Sequence, residues 1–181
     1  MIRRSQIPAF QREAADLISK AGIVLRPEEV DRIAVADFGL SQVRVFGAQI
    51  LTWVETTRYG AKVIALFPNQ ILPEHWHPPV GDDPGKEETI RVAWGVLYLY
   101  VEGTDTLKEG CIPKGKEGVF TARHEIRMLP GDQYTFPPGA KHWFLGGKEG
   151  AVVYSFSSVV RDALDGFTDP EIVRVTKIVE D

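Results

Sequence analysis

The chain has 181 residues and a formal net charge of −4, which excludes a basic surface able to follow a nucleic-acid backbone and leaves a neutral or weakly charged small molecule as the natural partner. Hydrophobic residues make up 44% and charged residues 25%, the composition of one globular core with no membrane partner, since no apolar run approaches ~18 residues. Polar Ser5 and Gln6 follow Arg3 and Arg4 where a signal peptide needs an apolar run, and the single Cys111 has no partner for an intrachain disulfide, so a reducing cytoplasm is the expected compartment.

Phe10, Ala14, Leu17 and Ile18 recur at helical spacing, and Gly22 follows as a stop signal, which predicts an amphipathic helix over 7–21. Pro27, followed by Glu28, Glu29, Val30 and Ile33, predicts a second, shorter helix with Pro in its first turn and acids near its positive end. From Val43 the pattern turns to short β-rich runs over 43–56, 61–67, 89–101, 119–129, 133–136 and 151–157. Turn residues such as Tyr59-Gly60, Pro130-Gly131 and Pro137-Pro138-Gly139 separate them, which predicts antiparallel β structure, closed or double-layered. The expected organisation is a single domain in which residues 1–42 form a helical extension packed on a barrel of residues 43–181. Residues 102–118 read as a long Gly- and Lys-rich surface loop, and the alternation over 172–179 reads as an edge strand.

Three short stretches carry the chemistry. In an extended segment alternate side chains share a face, so His75 and His77 project together while Trp76 points away. Lys86 and Glu88 share a face by the same rule. His142 follows the Pro137-Pro138-Gly139 turn at the start of a strand. Three imidazoles and one carboxylate make a first-row transition-metal site, with His75, His77, Glu88 and His142 as ligands.

These residues resemble the motifs of the cupin superfamily. His75-x-His77 is followed by Glu88, then six residues, then Gly95; the spacer between His77 and Glu88 is longer than the usual motif and reads as an extended hairpin. The second motif matches without a gap at Gly131, Pro137, Gly139 and His142, with Gly146 where Asn is usual. Finer strings resemble D-lyxose ketol-isomerases: Pro73-Glu74-His75, His77-Pro78-Pro79-Val80, Leu97 to Gly103, His124-Glu125-Ile126, Lys141 to Phe144 and Phe167-Thr168-Asp169-Pro170. The resemblance implies a mainly β cupin jelly-roll barrel (a double-stranded β-helix), a Mn-dependent aldose–ketose isomerase and a homodimer. It implies D-lyxose and D-xylulose as the sugar pair, with D-mannose and D-fructose as a second; the same ligands also suit Fe, Co, Ni or Zn.

Such an enzyme moves a proton between C1 and C2 while charge on an enediolate is held. Lys86 beside a divalent cation is expected to have a lowered pKa and to contact substrate, holding an alkoxide or passing a proton. A second acid/base residue is sought among Asp169, Glu125 and Glu74, with Asp169 preferred because its string matches the family. Phe144, two residues after His142, is a candidate to stack on the sugar; His124 is a lesser candidate for substrate contact, since strand periodicity alone explains its position. A cupin dioxygenase using Fe or Ni and a non-catalytic sugar-binding cupin are the competing readings.

Overall fold

Strand alternation organises nearly the whole chain around β9, whose residues 142–157 lie between different partners along their length. In the computed structural model, which describes residues 1–181, the elements are β1 (Ile2–Arg3), α1 (Ile7–Lys20), α2 (Pro27–Asp31), β2 (Ala34–Ala36), β3 (Ala48–Glu55), β4 (Gly60–Leu66), β5 (Ile71–Trp76), β6 (Glu88–Val101), β7 (His124–Met128), β8 (Gln133–Phe136), β9 (His142–Ser157), β10 (Gly166–Phe167) and β11 (Ile178–Val179). Antiparallel pairing runs β10-β5-β9-β4-β3-β2, and β6 pairs with β7, β8 and β9. This is the mainly β, cupin-type jelly roll that the motifs imply. None of the helices is long and apolar enough to cross a membrane.

Three apolar layers hold it together. Leu66, Leu72, Val92, Leu97, Leu99, Phe136, Phe144 and Val153 fill the barrel interior. On one outer face, Phe10, Ala14, Leu17 and Ile18 of α1 cover Leu51, Val63, Ala65 and Val152, which is where the helical spacing sends them. On another face Trp143 stacks on Tyr100 at 3.7 Å between ring centroids, and Phe120 packs edge-on against Trp143, so the chain before β7 lies down as a buried cover. Gly95 allows β6 and β9 to cross closely. Its φ is +77°, and a Cβ there would sit 2.3 Å from the Gly150 carbonyl oxygen.

Several boundaries differ from the sequence reading, each for a local reason. The strand expected from Val119 starts at His124, because the amides of Thr121 and Ala122 donate to the Glu74 carboxylate instead of a ladder. Within residues 1–42, Ala34–Ala36 adds a strand to β3, too short to show alternation. The 172–179 edge strand shrinks to Ile178–Val179, paired parallel with Ile2–Arg3. The strand expected to start at His142 runs unbroken to Ser157 and absorbs the separate run expected over 151–157, since Gly146, Gly147 and Gly150 lie inside it where they would ordinarily signal a break.

Candidate metal centre and cavity

His75 comes from β5, His77 from the residue after Trp76 that ends it, His142 from the first residue of β9 and Glu88 from the first residue of β6. Pairing of His75 directly with His142 across β5 and β9 brings the rings to 4.2 Å between centroids. A β-bulge sets this up: between Leu72↔Phe144 and His75↔His142, β5 uses three steps where β9 uses two. Leu72 and His75 therefore line the same cavity, which alternation alone forbids. Pro73 sits in the bulge, where its missing N–H costs no ladder bond.

The imidazoles are held in one tautomer. His75 Nδ1 lies 2.9 Å from the Pro73 carbonyl, His77 Nδ1 3.2 Å from that of Lys86 and His142 Nδ1 2.9 Å from that of Ala140. A carbonyl only accepts, so each Nδ1 carries the proton and each Nε2 presents a lone pair. The three ligand atoms lie within 4.8 Å of one another. His77 Nε2 and His142 Nε2 are buried with no hydrogen-bond partner, and His77 Nε2 faces Glu88 Oε2 at 3.2 Å. Two acceptors facing each other in a buried site are a place where a cation fits. Their separation matches neighbouring ligands of an ion bound at ~2.1 Å. The donor set thus fits a divalent metal.

The electrostatics agree. Burial first, then the neighbouring rings of His142 and His77, holds His75 well below its ordinary pKa. Burial and His77 hold His142 down at about 3. Both imidazoles are neutral at physiological pH, as ligation requires. Burial opposes ionisation of Glu88, but the Lys86 ammonium at 3.3 Å, His77 and the Ser155 hydroxyl, which donates to the other carboxylate oxygen, together outweigh it. Glu88 is held well below the ordinary carboxylate range.

Similarity to known proteins fits this centre. The sequence model of the family described as D-lyxose isomerase matches residues 34–181. The chain belongs to the D-lyxose isomerase family. It is 53% identical over 165 residues to a D-lyxose ketol-isomerase of Cohnella laeviribosi, covering 91% of each chain. It is 48% identical to a D-lyxose/D-mannose isomerase of Thermosediminibacter oceani over 98% of this chain and 99% of the relative. Among solved structures it shares its fold with the L-ribose isomerase of Cellulomonas parahominis with L-ribose, at TM-score 0.78, 18% identity and 98% coverage of both chains. An Acinetobacter L-ribose isomerase mutant in complex with L-ribose superposes with TM-score 0.80 at 16% identity, also over 98% of both chains.

A cavity of about 430 Å³, counted out to its open mouth, adjoins the centre. His75, Lys86, Glu88 and Phe144 line it, four of the residues singled out in the sequence. Lys62, Asp162, Asp165, Phe167 and Arg174 also line it; the sequence reading gave none of them a role, although Phe167 stands in the family-like string. The two aspartates stand in Arg161-Asp162-Ala163-Leu164-Asp165, a segment with no periodicity to mark it. Lys86 reaches Asp162 Oδ1 at 3.2 Å. Among the protein's own groups its pKa is raised: burial pushes it down, but Glu88, Asp162 and Asp165 more than offset burial.

Asp169, Glu125 and His124 do not line the cavity. Asp169 binds Lys116 Nζ at 2.6 Å and accepts from the Glu171 amide, the turn role open to an Asp before Pro170. Glu125 Oε2 accepts from the Tyr100 hydroxyl and from the amides of Lys108, Glu109 and Gly110, so it pins the 102–118 loop. His124 Nδ1 pairs with Thr106 Oγ1 at 3.2 Å. Glu74, 1% exposed, is taken up by Thr121, Ala122 and Thr168.

Asp165 is different. Burial raises its carboxyl from the ordinary 3.8 to about 6, against the pull of Lys86. Folding therefore takes up a proton between those values, and the resulting stabilisation is complete below about pH 4 and gone once pH passes about 6. Asp165→Asn is expected to raise the thermal midpoint at pH 7.5 by several degrees, at most about 3 kcal/mol, and to leave it unchanged near pH 4. A midpoint that moves equally at both pH values would contradict this assignment.

Proposed function

We propose that the protein is a metal-dependent aldose–ketose isomerase that interconverts D-lyxose and D-xylulose, and D-mannose and D-fructose as a second pair. The observation that carries this reading is the cluster of three buried imidazoles with Glu88 beside a cavity lined by both charged and aromatic side chains. Membership of the D-lyxose isomerase family supports it, as does the name of the relative that acts on both D-lyxose and D-mannose. His75, His77, Glu88 and His142 would hold the metal, which we take to be Mn. When bound, it supplies positive charge at the sugar oxygens where the enediolate develops.

The chain's own groups do the rest. Lys86, with its charge held by Glu88 and Asp162, donates hydrogen bonds to a substrate oxygen and holds charge there. Asp165, whose pKa of about 6 is close to a working pH, takes the proton from one carbon and returns it to the other. Phe144 and Phe167 exclude water and give the sugar ring an apolar face. In this assignment Asp165 replaces Asp169 and Glu125, whose carboxylates are committed elsewhere.

The test is incubation of metal-stripped protein with D-lyxose under anaerobic conditions, with and without added Mn, followed by assay for D-xylulose. Metal-dependent ketose without oxygen is the expected result. Oxygen uptake with a suitable substrate, and no ketose, would point to a dioxygenase; tight sugar binding with no product from any aldose would point to a binding protein.

A further inference from the structure

Beyond the metal centre, the cavity gathers three cations on one carboxylate. Asp162 accepts from Lys62 Nζ and, at 3.2 Å, from Arg174 Nη2 through Oδ2, and from Lys86 Nζ at 3.2 Å through Oδ1. Lys62 lies on β4, Lys86 just before β6 and Arg174 in the C-terminal segment, so three separate parts of the fold converge there. Lys62 is only 4% exposed, and Asp162 is the one carboxylate within ion-pair reach of it. A ring of ammonium and guanidinium groups around two oxygens is how proteins hold a phosphate or carboxylate ligand. Here the anion belongs to the chain itself, carried on the 3-10 turn Asp162–Leu164.

We propose that Asp162 is a specificity-determining residue: it fills an anion site in the cavity wall and so restricts the cavity to uncharged sugars. This rests on the reading of the cavity as a sugar site. The physical reason is the cost of an unpaired buried cation, several kcal/mol in a protein interior. With Asp162 ionised, Lys62 is paired and a phosphorylated or carboxylated sugar finds the position taken. With a neutral residue there, Lys62 loses its only counter-charge, and Lys86 and Arg174 add two more charges at the same point, so an external anion is drawn in.

The test uses the full-length, metal-loaded protein and inorganic phosphate, followed by calorimetry and by thermal midpoint. Asp162→Asn is expected to bind phosphate at least ~10-fold more tightly than the unmodified protein. Phosphate should compete with D-lyxose binding in that variant and not in the unmodified protein. Asp162→Asn combined with Lys62→Met should return phosphate binding to the starting level. If the single variant gains nothing, or if the double variant binds phosphate equally well, the proposal fails; in the latter case the anion sits on the metal or elsewhere. If Asp162→Asn folds poorly, phosphate should restore its thermal midpoint where chloride at equal ionic strength does not, and no restoration overturns the proposal. The readout is separate from turnover: absence of ketose in the unmodified protein would sink the isomerase reading, while phosphate gain by the variant would still show the anion site.

Discussion

His142→Ala is expected to lose isomerisation by at least ~10³-fold and to lose the response of stability to metal. His142 is fully buried, its Nδ1 is fixed on the Ala140 carbonyl and its Nε2 has no protein partner. It pairs directly with His75 across β5 and β9 and stacks on Phe136 at 3.9 Å, so the ring cannot turn away to another partner. A ligand that binds only the folded state adds stability by mass action. The thermal midpoint of the unmodified protein should therefore rise with added Mn and fall on chelation, while that of His142→Ala should be insensitive to both. A loss of several kcal/mol of charge stabilisation in the rate-limiting step corresponds to the stated fall in kcat/KM. A variant that keeps its metal-dependent midpoint would show that the ion is held elsewhere.

The second large effect concerns stability. Glu74 stands next to His75 in the sequence, yet its carboxylate is wholly occupied: Thr121 N at 2.6 Å and Ala122 N at 2.7 Å on one oxygen, Thr121 Oγ1 at 2.8 Å and Thr168 Oγ1 on the other. No cation lies within ion-pair distance; four donors alone compensate its burial. They come from the chain before β7 and from the residue after β10, so this one side chain ties two covering segments to the strand that carries His75. Glu74→Ala leaves the amides of Thr121 and Ala122 and two hydroxyls without their acceptor and is expected to cost about 3 kcal/mol. For a chain of this size that is a fall of roughly 10 °C in thermal midpoint. Glu74→Gln keeps one oxygen but turns an NH₂ toward donors, and should lie between. Urea unfolding gives the measurement, and an Ala variant within about 1 kcal/mol of the parent would show that the donors find other partners.

The convergence of His75, His77 and His142 and the barrel itself were legible because their signals are local. A period of two places His75 with His77 and Lys86 with Glu88, and the Pro137-Pro138-Gly139 turn delivers His142 to the start of a strand. The period of 3.6 in Phe10, Ala14, Leu17 and Ile18 marks α1 in the same way. The cavity's other charges carry no such mark. Asp162 sits in an aperiodic segment 100 residues beyond Lys62, its partner, while the family-like string at Phe167 to Pro170 drew attention to Asp169 instead.

The sequence by itself determined which residues can ligate a metal, because side-chain alternation and turn chemistry act over a few residues. Only the tertiary structure decided which carboxylate does which work. Asp162, Asp165, Asp169, Glu74 and Glu125 are alike as residues, and what separates them is the donors that folding brings to each. Backbone amides 15–17 residues away satisfy Glu125, an ammonium 53 residues away holds Asp169, and the cavity wall buries Asp165. A carboxylate's charge and availability depend on its surroundings across the fold, and those are set by strand pairing and closure rather than by its neighbours in the chain.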